Sequence, residues 1–297
     1  MQDVAGGGDF LFGGCRAVIS LDRIRGAVVL SSAAMATREK PALRVLHHVG
    51  DRFLHWSAQI GGMLVLIGQI FRSFFPPTLD GPETWRNLYR VGVKSFPIVV
   101  VTSVLTGAIM VIQAGMYIQQ YGAYGLLGWG AGYSILREVG PIMIGLMFSG
   151  RVGANNTAEL GTMMVTDHVD ALRALAIDPI AYLVMPRFIA MIVMMFVLVV
   201  IGDFTALLGG AITSEVLLDV DMTLFFWSIK EYVFLADFTH GLVKAVAFGF
   251  AIAIISCHFG MTTSGGAVGV GRAVNASVVG SAIAIFVLDY LITFASL

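Results

Sequence analysis

Along this chain, long stretches almost free of charge alternate with short segments that hold most of the Lys, Arg, Asp and Glu. The first such stretch runs from about Ser95 to Ile118, with no charge after Lys94. The second, about Ala131 to Gly153, carries Arg137 and Glu138 near its start and Arg151 near its end. The third, about Phe188 to Thr213, holds only Asp203. The fourth, about Leu242 to Thr262, opens with Lys244 and has His258 near its close, and the fifth, about Ala273 to Ser296, contains only Asp289. Each approaches or exceeds the roughly 20 residues that an α-helix needs to cross a ~30 Å hydrocarbon core, so the pattern predicts five transmembrane helices.

Upstream, from about Leu43 to Phe75, apolar positions are interleaved with His47, His48, Asp51, Arg52, His55 and Arg72. A helix with polar ends and aromatic anchors (Phe53, Trp56, Phe71, Phe74, Phe75) fits one lying along the membrane interface. Pro76-Pro77 is expected to stop it. Residues 1–34 show no such periodicity and read as an unstructured extension ahead of a basic start at Met35.

Composition agrees with the spans. Of 297 residues, 57% are hydrophobic and 12% charged, where a soluble domain carries about 25% charged residues, so a water-soluble globule is excluded. A net charge of −1 gives no nucleic-acid footprint, and the 35 glycines favour close helix approach in lipid. Cys15 and Cys257 have neither CxxC nor metal spacing, and no cofactor is implied. Eleven of the 18 basic residues precede Ser95, which places the amino terminus in the cytoplasm, and five spans then leave the carboxyl terminus outside. The expected external segment 214–241 has one Lys against five acids, consistent with that orientation.

No GxxxxGK[ST] phosphate loop and no HExxH occurs, so any ATP must be bound by another subunit. Ser149-Gly150 with His258 offers an intramembrane serine hydrolase as one alternative, although Met147 stands where such proteases have Gly. Between the second and third spans, Leu160, Met163, Met164, Val169, Leu172 and Leu175 recur at near-helical spacing, while Glu159, Asp167, Asp170 and Arg173 take polar positions. This predicts an amphipathic cytosolic helix over about 159–175, able to dock in a partner's groove or to lie as a linker.

Several ordered motifs then carry a resemblance: Leu136-Arg137-Glu138-Val139-Gly140-Pro141, Gly150-Arg151-Val152-Gly153, Ala158-Glu159-Leu160-Gly161-Thr162-Met163, Asp170-Ala171-Leu172-Arg173, Asp178-Pro179 and Pro186-Arg187. Together with Tyr89 to Ser95 and Ala267 to Val274, they resemble the MlaE (YrbE) family of ABC-transporter permeases from about Leu43 to the end. Asn155-Asn156 depart from that pattern, where small residues are more usual.

The resemblance implies an all-α polytopic protein of the bacterial inner membrane, with one amino-terminal interfacial helix, five transmembrane helices and a cytosolic coupling helix. It implies a homodimer working with cytoplasmic ABC ATPase subunits and an MCE-domain protein to move phospholipid between inner and outer membranes. A non-transporting anchor for an MCE complex is the other alternative. Under this reading Glu159, Asp170 and Arg173 are candidates for coupling to the ATPase. Arg137, Glu138 and Lys244, near the external ends of their spans, are candidates for lipid binding, because a head group needs fixed charge and acyl chains need apolar walls. Asp203 and Asp289 are expected to face helix partners, donors or a cavity.

Overall fold

The computed structural model describes residues 41–73 and 81–296, in two compact units that meet in sequence at Gly61 and Gly62. The expectations for 1–34 and for Pro76-Pro77 lie outside the described residues. Helix α1, Pro41–Ser73, begins in the first unit and ends in the second. The other elements belong to the second unit. Helix α2 spans Gly81–Tyr121 and a short 3₁₀ turn covers Tyr124–Leu126. Helix α3 is a continuous helical run over 127–165, and α4 is a short helix, His168–Ala174. They are followed by α5 (Ile180–Leu218), α6 (Met222–Tyr232), α7 (Leu235–Met261) and α8 (Gly266–Ala295). The described residues contain no strand, and the chain is an all-α polytopic membrane protein.

Among the described residues, α2, α5, α7 and α8 are long and apolar enough to cross a membrane. They contain four of the five stretches expected to span. The remaining stretch, 131–153, lies within α3, where π-helical turns at Ile135–Val139 and Ser149–Gly153 separate the α-helical pieces. Two π segments have a shared cause. The first ends with the N–H of Gly140 bonded to the Ile135 carbonyl, and Pro141 follows; in α5, the N–H of Met185 bonds to the Ile180 carbonyl, and Pro186 follows. A proline inside a helix has no N–H to donate and crowds the carbonyl four residues back, and one widened turn relieves that crowding.

The segment expected as one helix over 159–175 is two. α3 ends at Val165, and Asp167 has φ 59°, a left-handed conformation that Asp adopts more readily than most residues. α4 then starts as a separate helix, with Val169 buried and Asp170 and Arg173 exposed.

Apolar packing between helices forms the main core. Val99, Ile144, Phe148, Leu160, Met191, Met195, Phe248, Ile252 and Ile285 are almost fully buried and come from α2, α3, α5, α7 and α8. A smaller cluster of Val111, Leu127, Ala131, Ala211, Val220 and Phe225 seats α6 against the start of α3. α6 is capped by Asp221, which accepts from the Thr223 hydroxyl and from the Thr223 backbone N–H at 2.7 Å. Those bonds hold the Asp221 carboxyl below the usual carboxylate range. Much of the outer surface is apolar, as at Val101, Leu105, Phe204, Val279 and Phe286, which suits contact with lipid.

α2 and α5 make the most extensive helix contact, and glycine permits it. A Cβ on Gly107 would lie 1.8 Å from the Ala206 carbonyl oxygen, and one on Gly209 would lie 2.4 Å from the Val104 oxygen. Backbone opposes both, so no side-chain rotation can make room. Gly107→Ala or Gly209→Ala should therefore destabilise the fold by about 1–3 kcal/mol, the usual cost of overpacking. Gly130→Ala, which meets nothing within 4 Å, is the control. Thermal unfolding in detergent checks this, and equal melting of all three variants would refute the close-approach account.

Candidate functional site

Arg137, Glu138, Lys244 and Asp289, four of the charged residues expected inside the spans, gather at one end of the bundle. Lys244, near the start of the apolar stretch of α7, has no exposed side-chain surface. An ammonium so buried requires compensation. Its Nζ is paired with Glu138 Oε2 and forms a second ion pair with Asp289 Oδ1 of α8 at 2.8 Å. The other oxygen of Glu138 accepts from the Thr293 hydroxyl at 3.1 Å. Arg137, the preceding residue, points to a separate partner: its guanidinium donates to Asp237 at 3.0 Å and to Ser296 Oγ at 3.3 Å, and its carbon lies 5.5 Å from the centre of the Tyr133 ring. Asp237 also accepts from the Phe234 N–H at 3.1 Å, so one carboxylate both caps α7 and holds Arg137.

The structure thus brings Arg137, Glu138 and Lys244 together. Both cations are matched within the chain, and three carboxylates face them. Asp237 and Asp289 complete the site, and sequence reasoning had not assigned either to it. A lysine in an apolar stretch signals that a carboxylate must lie on a neighbouring helix, and Asp289 is the sole acid of its span. Asp237 gives no comparable signal, because it is one of five acids in a segment expected to be external.

The coupling candidates divide. Asp170 and Arg173 pair at 2.8 Å on the exposed face of α4. Glu159 lies apart from them, accepting from Arg90 of α2 and pairing with Arg187 of α5, each at 3.3 Å, and from Asn155 at 2.8 Å. Arg187 is almost buried and also donates to Asn156 Oδ1 at 3.3 Å, while Asn156 donates to Ser256 at 2.9 Å. Of the two asparagines at positions where small residues are more usual, Asn156 therefore forms hydrogen bonds between helices, to Arg187 of α5 and Ser256 of α7, whereas Asn155 bonds to Glu159 within α3.

Asp203 is 1% exposed, and neither of its carboxyl oxygens has a hydrogen-bond partner among the described residues. It rests against Gly140, where an added Cβ would fall 2.1 Å from its Oδ1. The Ser149 hydroxyl is buried and likewise makes no hydrogen bond with a described residue, so it forms no activated Ser–His pair with His258.

Comparison with known proteins matches the sequence to permeases. Residues 84–295 match the family described as Permease MlaE. A probable ABC transporter permease protein of Rickettsia felis is 39% identical over 251 residues, covering 84% of this chain and 97% of the relative. A probable ABC transporter permease protein of Synechocystis is 35% identical over 238 residues, covering 80% of this chain and 90% of the relative. The chloroplastic protein TRIGALACTOSYLDIACYLGLYCEROL 1 of Arabidopsis thaliana is 30% identical over 232 residues, covering 77% of this chain and 65% of its own length.

The buried pair yields a stability prediction. Lys244→Met leaves Glu138 and Asp289 without their cation and should cost about 3–5 kcal/mol, as breaking a buried pair from one side does. Adding Glu138→Gln and Asp289→Asn should restore much of the loss, because the stranded charges are then removed. Thermal unfolding of the single and triple variants measures this; a triple variant no more stable than Lys244→Met would sink the ion-pair account.

Proposed function

Because the chain belongs to the MlaE permease family of ABC transporters, we propose that it moves phospholipid between the inner and outer membranes. A separate cytoplasmic ATPase powers it, and an MCE-domain protein acts as lipid partner. The observation that carries this reading is α4, a seven-residue helix with exposed charges held between the long helical runs of α3 and α5. A rigid element of that size, tied through α3 to the core, can transmit the motion of a subunit docked on it.

Asp170 and Arg173 are its contacts to the ATPase, and α4 faces the cytoplasm in the orientation set by the basic residues. Glu159 couples more indirectly, because its bonds to Arg90 and Arg187 link the base of this region to α2 and α5. At the opposite end of α3, Arg137 is the group that meets a lipid phosphate, since 23% of its side chain remains exposed. Glu138 and Lys244 position the helix ends around it. The carboxylate in excess there suits a head group that also bears an amine. α8 leaves Val279, Ile283, Phe286 and Tyr290 exposed, a surface that a second copy and lipid would cover in a homodimer. The name of the Arabidopsis relative, built on a diacylglycerol, supports a lipid substrate.

Reconstitution with the ATPase and the MCE protein should give nucleotide-dependent transfer of labelled phospholipid; its absence would overturn the reading. Reversing both charges of α4, Asp170→Arg with Arg173→Asp, should weaken ATPase association roughly tenfold, about 1.4 kcal/mol, with membrane insertion unchanged. Arg137→Gln combined with Asp237→Asn should lower co-purified lipid per protein without releasing the ATPase.

A further inference from the structure

The bonds of Glu159 form one wall of a cavity of about 420 Å³ between α2, α3 and α5. That volume lies in the ~300–1,000 Å³ range of small-molecule clefts. Four cations line it, Arg90, Lys94, Arg151 and Arg187, against the single carboxylate of Glu159. Neither Lys94 nor Arg151 has an acidic partner among the described residues. Arg90 and Arg187 contact Glu159 at 3.3 Å, longer than the ~2.7–2.9 Å of a tight charge-assisted bond, and each uses only one guanidinium nitrogen for it. Each guanidinium has five N–H donors, so most of its bonding capacity stays free for another anion.

The cavity also stands at a defined depth. Lys94 is the last charge of α2 before the uncharged run from Ser95 to Ile118, so the lining residues sit where the helix passes from polar surroundings into hydrocarbon. Arg151 lies 14 residues beyond Arg137 in α3, roughly 20 Å along the helix axis, which separates this cavity from the Lys244 network.

We propose that this cavity is a second anion site, which binds a phosphate group through Arg90, Lys94, Arg151 and Arg187, with Glu159 bridging Arg90 and Arg187 until the ligand enters. A phosphate ester at this depth is the head group of a membrane lipid. The inference rests on the transporter reading only for that lipid source. Binding is measured without the ATPase, so failure here leaves transport standing, and failure of transport leaves the site standing.

The test uses the full chain in a maltoside detergent, which carries no phosphate, with bound lipid counted by native mass spectrometry. Dioleoyl phosphatidic acid should bind, and dioleoylglycerol, identical but for the phosphate, should not. Lys94→Gln with Arg151→Gln should weaken phosphatidic acid binding roughly tenfold, and because both residues are exposed and unpaired with any described acid, the melting temperature should not change. Glu159→Gln removes the competing carboxylate and should tighten binding roughly threefold, a gain that a purely structural role would not produce. Displacement by inorganic phosphate, with the same sensitivity to the double variant, would support the anion site and assign it to soluble phosphate; resistance to displacement assigns it to the lipid head. Unchanged occupancy in the double variant, or equal binding of dioleoylglycerol, overturns the proposal.

Discussion

A fully buried ammonium is the constraint around which this bundle is arranged. Lys244 cannot stay charged within apolar surroundings unless carboxylates reach it, and they arrive from two other helices, Glu138 from α3 and Asp289 from α8. For Glu138 to do so, α3 must turn its face inward at that level. The π-helical turn at Ile135–Val139 sets that rotation, and Pro141, which has no N–H to donate, follows directly after it. The turn thus bears on where a carboxylate points, and the carboxylate ties α7 and α8 to α3 through Lys244. Arg137, one position earlier, turns toward Asp237 instead, so the same turn serves two separate ion pairs.

The reliance on polar ties has a physical origin. In lipid the apolar effect that drives soluble helices together is nearly absent, because acyl chains satisfy a leucine as well as another leucine does. Specificity then has to come from close backbone approach and from groups that hydrocarbon cannot satisfy. Gly107 and Gly209 provide the first where α2 crosses α5. Lys244, Asn156, Thr157 and Ser277 provide the second, the hydroxyl of Thr157 donating to Ser277 at 2.9 Å across α3 and α8. Asp203 shows what this arrangement leaves over: a carboxyl on α5, pressed against Gly140 with no bonding partner among the described residues, next to the turn that orients Glu138.

The features legible in the sequence depended on its one-dimensional period. Long uncharged stretches marked the helices, and the alternation of Leu160, Met163 and Leu172 with Glu159, Asp170 and Arg173 marked the helical segment between two of them. The break at Asp167 was hidden, because a left-handed residue other than glycine leaves no mark in hydrophobic periodicity. Glu159 read as one more polar position on a surface helix, since its partner Arg90 lies 69 residues away and pairing at that range is decided by packing. For Arg137, Glu138 and Lys244 the residue types and their common end of the bundle could be read, but their internal neutralisation could not. That depends on which turn of α8 carries Asp289 and on the capping geometry that aims Asp237.

The two charged regions of the bundle differ in the balance of charge rather than in its amount. Around Lys244, three carboxylates meet two cations and the ammonium is sealed from solvent, so that end resists separation of its helices and leaves the part-exposed Arg137 as the cation a phosphate can reach. Around Glu159, four cations share one carboxylate in an open cavity, and the same electrostatics favour an added anion over a closed pair. Both regions draw on α3, whose two π-helical turns lie at Arg137 and Glu138 in one case and at Arg151 in the other. A small change in the winding of α3 would reorient charges in both regions at once. Coupling between them needs no relay of side chains, because the helix that carries both sets of charges is itself irregular at the two places where they project.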